Sequence, residues 1–270
     1  MARASLLFFI ISAIGPFIVG ILAANGLKQS NWYQLAVYYY LHFQYNGVFT
    51  FGVLALFFHL LKTKAIPFQL NQARKFGSLL FISCFPAYAL STLWTNPPLI
   101  INGIGFVAAV GQIAAFYYFL KSIDIKRKVD NLSFSKSSGI LLGSAFISFG
   151  IKLVLQLISA FPYVAALSYE IRFYVIAYLH LVLIGIISFF LIAWYNECKI
   201  LKVRKSYAYI LVIGFITSEL VMISVSLIRE DINIFKWLAI ISLFLVVGIG
   251  GIIFESLLQY IIHTFIKRLG

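Results

Sequence analysis

Residues 171–195 read IRFYVIAYLHLVLIGIISFFLIAWY, and Arg172 is the only Lys, Arg, Asp or Glu in this run of 25. The hydrocarbon core of a bilayer is about 30 Å thick, so about 20 apolar residues cross it as one α-helix. This run is therefore predicted to span a membrane. Seven further stretches satisfy the same requirement: 5–25, 33–61, 76–94, 98–120, 138–161, 207–228 and 236–262. We predict an all-α integral membrane protein with about eight transmembrane helices.

The overall composition excludes most other classes of protein. Of the 270 residues, 62% are hydrophobic and 11% are charged, whereas an ordinary soluble domain carries about 25% charged residues. Two cysteines cannot form a disulfide framework. The excess of 21 Lys and Arg over 8 Asp and Glu lies in short loops between apolar stretches, where it serves membrane insertion. We therefore expect the lipid bilayer as a partner, and no nucleic acid.

The basic residues of the loops predict the orientation of the chain. Sixteen of them lie in loops on one side of the predicted spans and four on the other, and Lys152 lies inside a span. Cytoplasmic loops carry the excess of Lys and Arg, so both termini are expected in the cytoplasm. We predict one polytopic domain over residues 1–270, a multi-pass protein of the cell's inner (cytoplasmic) membrane.

The motif Y-L-H-x4-G-x3-F occurs twice, beginning at Tyr40 and at Tyr178. The copies are 138 residues apart, about half of the chain, and they fall in the second and sixth predicted spans. An even number of spans in each half makes the halves parallel. The spacing thus suggests two parallel four-helix halves, residues 1–125 and 136–270, joined by a basic loop at 121–137.

The two motif histidines, His42 and His180, are expected at one depth in the membrane. Each lies nine residues after the predicted outer end of its span, at Tyr33 and at Ile171, which is about 13 Å at 1.5 Å per residue. Histidines inside spans mark proton, metal or cofactor sites. A pair at equal depth on separate helices suits the two axial ligands of a b-type haem. The alternative is that each ring bonds to a carbonyl or a tyrosine of a neighbouring helix.

Other residues near the histidines also suit a haem. The small Gly47 and Gly185 would let a flat ring approach the backbone. Arg172, about two turns before His180, would meet the propionates. Asn46 belongs to a polar stripe with four-residue spacing on the second span. These residues complete a predicted cofactor site, with the two histidines as its metal ligands.

The two Y-L-H-x4-G stretches resemble the histidine helices of the haem-copper oxidase catalytic subunit (subunit I). They are also similar to those of the NnrS-like haem-binding membrane proteins. The resemblance covers about 25 residues in two places and implies that His42 and His180 are the axial ligands of the haem. Those families have about twelve spans, and the oxidases need further histidines for a second haem and a copper ion, whereas only His59 and His263 remain here. Reduction of dioxygen or nitric oxide by this chain alone is therefore not expected.

A second set of polar residues lies deep in the fifth and seventh predicted spans. Lys152 has Gln156 one turn further along its helix, and Glu219 lies at a similar distance from the cytoplasmic side as Lys152. A central Lys costs at least about 2.5 kcal/mol to insert, so this side chain must face protein or water. Two interpretations remain: an ion pair that fixes helix packing, and an intramembrane relay for protons or ions.

These residues lead to three hypotheses about function. The first is a haem-binding membrane protein for electron transfer, for gas or redox sensing, or for an accessory role in a respiratory pathway. The second is a small secondary transporter or channel that uses Lys152 and Glu219. The third is a structural or assembly subunit of a respiratory or other membrane complex. No nucleophile, phosphate-loop, zinc-protease or CxxC motif is present, so the chain is not expected to be an enzyme on its own.

Overall fold

The computed structural model describes residues 1–123, 134–224 and 234–269, with side chains up to residue 262. Helices make up nearly all of these residues, and they contain no strand. In chain order the helices are α1 Ala2–Ala24, α2 Asn31–Thr63, α3 Leu70–Thr95, α4 Leu99–Ile123, α5 Lys136–Ser159, α6 Pro162–Glu170, α7 Arg172–Glu197, α8 Lys205–Ser224 and α9 Ile234–Leu269.

Eight of these helices, all except the short α6, are long and apolar enough to cross a membrane within the described ranges. Each of them overlaps one predicted stretch, so the prediction of a helical chain with eight helices of membrane-spanning length and apolarity is confirmed for the described residues. Helices are expected here because a chain in lipid must satisfy its own backbone hydrogen bonds. Most of the predicted basic loop at 121–137, and residues 225–233 after α8, lie outside the described residues.

Helix α3 changes from an α-helix to a 3-10 helix at Pro86. The α-helix Leu70–Cys84 is followed by a 3-10 helix, Pro86–Thr95. Proline lacks the amide hydrogen and displaces the carbonyl four residues earlier, so the α-helical ladder is interrupted here. The segment ends at Asn96, whose φ of 52° is left-handed, and two prolines follow it. Only three residues therefore separate α3 from α4, which begins at Leu99.

The chain divides into two compact units, and α5 contributes residues to both. Unit 1 comprises Met1–Leu132 and Gly150–Glu170, and unit 2 comprises Ser133–Phe149 and Ile171–Gly270. The equivalence of two parallel halves stays a prediction.

The core of unit 1 is built around Phe8 of α1, which is fully buried. Its ring lies 5.1–5.8 Å from the ring centroids of four neighbours, Phe43, Phe51, Phe81 and Phe85. Aromatic rings at such distances attract one another beyond the burial of their surface. This cluster therefore ties α1 to α2 and α3.

Unit 2 is held together by close packing of α8 against α9. A Cβ atom added to Gly214 would lie 2.6 Å from Cβ of Phe244, and one added to Gly248 would lie 2.6 Å from Cγ of Leu211. Small residues let transmembrane helices approach closely, because association in lipid depends on van der Waals packing. These glycines thus determine the distance between the two helices.

Candidate functional site

The two copies of the histidine motif share an uncommon backbone conformation. In α2 the α-helix ends at His42 and a π-helix follows over Phe43–Phe49. In α7 the α-helix ends at His180 and a π-helix follows over Leu181–Ser188. π-helices are rare and occur frequently at functional sites. The motif is therefore repeated in local structure as well as in sequence.

A side-chain hydroxyl group bonds inside the π-helical region in each copy, at the equivalent position. Thr50 Oγ1 donates to the carbonyl of Tyr45 at 2.6 Å, and Ser188 Oγ donates to the carbonyl of Leu183 at 2.8 Å. Both hydroxyls lie eight residues after the motif histidine, and both carbonyls lie three residues after it. Both hydrogen bonds span five residues, as the wider π-helical turn requires. The sequence carried this signal, since a Thr or Ser precedes the final Phe of both motifs.

The motif glycines are contact points between helices. A Cβ atom at Gly47 would lie 2.5 Å from Cγ of Phe8, and one at Gly185 would lie 2.7 Å from Cζ of Phe215 and 2.8 Å from Oγ of Ser148. Side chains of neighbouring helices therefore fill the space beside both glycines. The approach of a flat ring to these glycines stays a prediction.

His42 is buried, and both of its ring nitrogens are in contact with protein groups. Nε2 donates to the carbonyl of Cys84 at 2.9 Å. A carbonyl can only accept, so Nε2 carries the hydrogen and Nδ1 is the acceptor. Asn46 Nδ2 approaches Nδ1 at 3.2 Å and Ser91 Oγ at 3.4 Å. The carbonyl bond of His42 is the alternative stated above, and neither nitrogen is left for a metal in this arrangement.

His180 has a different environment from His42. Its Nδ1 lies 3.6 Å from Oε1 of Glu219 on α8, and the two side chains are 40% and 13% exposed. Both atoms are buried and have no hydrogen-bond partner. No hydrogen bond to Nε2 occurs within the described part of the chain. One nitrogen thus faces a carboxyl group, and the other is available to a proton or a ligand.

The contact between His180 and Glu219 was missed by sequence reasoning, although a signal for it was present. Glu219 lies nine residues before residue 228, the predicted outer end of its span, and His180 lies nine residues after residue 171. Counted from the outer side, the two side chains therefore have equal depth. The prediction instead counted Glu219 from the inner side and compared it with Lys152.

The remaining predicted site residues are placed as follows. Arg172 is exposed and is the first residue of α7. Lys152 and Gln156 are buried in unit 1. Glu219 belongs to unit 2. The pairing of Lys152 with Glu219 stays a prediction.

The residues present fit a haem only in part. Nε2 of His180 has no hydrogen bond, and Nδ1 faces the carboxyl group of Glu219. A histidine that binds a metal through one nitrogen usually donates from the other to a carboxylate, so His180 fits. His42 does not fit while its Nε2 bonds to Cys84. No group of three or more His, Cys, Asp or Glu side chains suited to a metal ion occurs among the described residues.

Comparisons of the chain with family models, with curated proteins and with solved structures find no match.

Proposed function

We propose that this chain moves protons through the membrane, alone or together with a solute, and that His180 and Glu219 carry them. The observation that supports this most directly is the 3.6 Å approach of two buried atoms, Nδ1 and Oε1, that have no hydrogen-bond partner. Such a pair is what a transmembrane proton relay requires.

The chemistry of the imidazole supports a direction for the relay. Histidine titrates between pH 5 and 8, and it can accept a proton at one nitrogen while it releases one from the other. When a proton binds Nε2 of His180, the ring becomes an imidazolium and releases the other proton, the one on Nδ1, to the carboxylate of Glu219. Because Nδ1 is the nitrogen turned toward Glu219, Nε2 is the nitrogen at which the incoming proton binds.

The proposal includes the orientation predicted from the loops. The split of sixteen to four basic residues supports cytoplasmic termini and a place in the inner membrane of a bacterial cell. In this orientation the pair lies nearer the outer face, so protons reach it from outside.

Proton flux into liposomes tests the proposal. The purified protein is reconstituted in vesicles that contain a pH-sensitive dye, and a potassium gradient with valinomycin drives protons inward. His180→Asn and Glu219→Gln are each expected to lower the flux about 10²-fold, the usual contribution of a positioned proton-transfer group. The double variant is expected to be no slower than the singles, because one chain of transfer needs both groups.

His59→Asn and Glu170→Gln are the matched controls, since both side chains are exposed. They remove the same chemical groups and are expected to leave the flux unchanged. Flux that is equal in wild type, His180→Asn and Glu219→Gln would contradict the proposal.

Haem binding is a second candidate, and the free Nε2 of His180 is the observation that favours it. When bound, a b-type haem would supply one-electron chemistry or gas binding. His180 would hold the iron from one side, and Glu219 would orient the imidazole through Nδ1. His42 would have to release the carbonyl of Cys84 before it could serve as the second ligand.

An absorption spectrum separates the two candidates. If the chain binds haem, protein purified from haem-replete cells shows a Soret band that shifts on reduction, and this band is lost in His180→Ala. A colourless preparation that conducts protons supports the relay. A preparation with neither property favours the third hypothesis, a subunit of a larger membrane complex.

A further inference from the structure

Unit 1 contains a group of buried polar side chains that the proton relay does not use. Asn46, Gln112 and Gln156 are 8%, 1% and 5% exposed, and Lys152 is 1% exposed. They lie on α2, α4 and α5, inside helices that are apolar enough to cross a membrane. We call these four residues, together with His42, the polar layer.

Contacts of α3 with α2 and with α4 bring His42 and Gln112 of the polar layer near each other. The bond from His42 to the Cys84 carbonyl joins α2 to the middle of α3. The preceding residue, Ser83, packs against Gly111 of α4, which is adjacent to Gln112 in the chain. These two contacts place His42 and Gln112 beside the same turn of α3.

Two further contacts align α4 with the end of α5. The ring of Phe116 lies 3.4 Å from the Cβ position of Gly150, and Asn102 Nδ2 donates to the carbonyl of Ala160 at 3.0 Å. The two segments are therefore antiparallel neighbours. Gln112 lies between the two contact points on α4, and Gln156 lies between them on α5.

Three amide oxygens of the polar layer have no hydrogen-bond partner. They are Asn46 Oδ1, Gln112 Oε1 and Gln156 Oε1, and all three are buried. A buried acceptor without a donor is costly, and nearly all such groups in native proteins are satisfied by protein or by a bound molecule. Three such oxygens within the polar layer therefore indicate that a bound molecule supplies the donors.

The charge of the layer limits what that molecule can be. Residues 1–123 contain no Asp or Glu, and Lys152 contributes a positive charge, so the layer offers no carboxylate to a cation. Carbonyl oxygens in turn repel a bare anion. The remaining class is an uncharged molecule with N–H or O–H groups.

We propose that the polar layer of unit 1 binds a small uncharged molecule that donates hydrogen bonds to Asn46, Gln112 and Gln156. Water, ammonia and urea share this chemistry. A buried water usually makes about three hydrogen bonds to such groups, so the number of acceptors suits one or two molecules of this class. The site is separate from His180 and Glu219 in the chain and in chemistry.

Substitution of the glutamines by apolar residues of similar size tests the proposal. If the oxygens hold a bound molecule, Gln112→Leu and Gln156→Leu should each lower the melting temperature by about 2–4 °C, the usual effect of losing one such interaction in a chain of this size. If no bound molecule donates to these oxygens, the same changes remove a buried unsatisfied group and leave the melting temperature unchanged or higher. That result would overturn the proposal. Gln112→Met and Gln156→Met provide the measurement where a leucine variant does not fold.

Gln34→Leu is the matched control, because Gln34 is an exposed residue of α2, and it should not change the melting temperature. Osmotic shrinkage of proteoliposomes identifies the bound molecule. Faster movement of water, ammonia or urea in wild type than in Gln112→Leu assigns that molecule to the site. Movement of none of them, with a lower melting temperature in the variants, assigns a static water. His180→Asn should change none of these results, so this proposal and the proton relay fail separately.

Discussion

His42 and His180 occupy the same position in a repeated motif but differ in what surrounds them. The ring of His42 has a protein partner at each nitrogen, whereas the ring of His180 faces one carboxyl group and leaves Nε2 without a hydrogen bond. A ring that is bonded on both sides contributes to the stability of the fold. A ring with one free nitrogen is able to exchange a proton.

This difference predicts opposite effects of the two substitutions. His42→Ala should lower the free energy of unfolding by about 1–3 kcal/mol, because it leaves the carbonyl of Cys84 without its donor in a buried position. His180→Ala should change this free energy by less than about 1 kcal/mol and should lower the proton flux about 10²-fold, as His180→Asn does. Unfolding in detergent, followed by circular dichroism, gives the first quantity. A larger loss of stability in His180→Ala than in His42→Ala would refute the assignment.

The same difference predicts the chemical reactivity of the two rings. Diethyl pyrocarbonate attacks an unprotonated, accessible imidazole nitrogen, so His180 should be modified at Nε2 and His42 should remain unmodified in the folded protein. Mass spectrometry of peptides from the treated protein locates the modification. Glu219→Gln serves as a control that keeps the ring accessible, and modification of His42 before His180 would contradict the structure.

At the scale of single helices, each π-helical segment has one hydrogen bond from a hydroxyl group to the carbonyl five residues earlier. Thr50→Val and Ser188→Ala remove the bonds to the carbonyls of Tyr45 and Leu183 and should each cost about 0.5–1.5 kcal/mol of stability. Thr63→Val is the control, since Thr63 makes an ordinary four-residue bond in an exposed turn of α2. An equal loss in Thr63→Val would show that the π-helical bonds have no special role.

Helix packing at the motif glycines gives a second prediction at this scale. In Gly47→Ala the new methyl group would overlap Cβ and Cγ of the fully buried Phe8. The resulting strain should lower the free energy of unfolding by about 1–3 kcal/mol. Gly103→Ala is the matched control on α4, because nothing lies within 4 Å of its Cβ position. The control should be stabilised by about 0.5–1 kcal/mol, as is usual for this change inside a helix. Thermal unfolding of the two variants measures the difference, and a Gly47→Ala variant as stable as Gly103→Ala would contradict the packing at Gly47.

The helices could be predicted from the sequence, but their contacts could not. Long apolar runs determine spans because the bilayer imposes one length and one backbone pattern. The contact of His180 with Glu219 joins residues 39 positions apart in the chain, and hydropathy carries no information on which helices meet. The partners of His42 were unpredictable for the same reason, since Cys84 contributes its backbone and not its side chain.

For the molecule as a whole, the predicted orientation has a direct test. Cys84 is buried and Cys198 is exposed, so a Cys198→Ser background leaves no accessible thiol. In that background Lys28→Cys should react with a membrane-impermeant maleimide added to intact cells, and Lys64→Cys should react only after the membrane is opened. The reverse pattern would place the termini outside and would require protons to approach His180 from the cytoplasm.

The 3-10 helix of α3 has a consequence for the thickness of membrane that this helix can match. A 3-10 helix rises about 2.0 Å per residue and an α-helix about 1.5 Å, so the ten residues Pro86–Thr95 cover about 5 Å more than an α-helix would. With its 15 α-helical residues, α3 reaches about 42 Å, close to the full thickness of a bilayer with both headgroup layers. Its basic first turns and Trp94 can therefore contact opposite headgroup regions at once, which resists tilting of α3 when the surrounding lipids change in length.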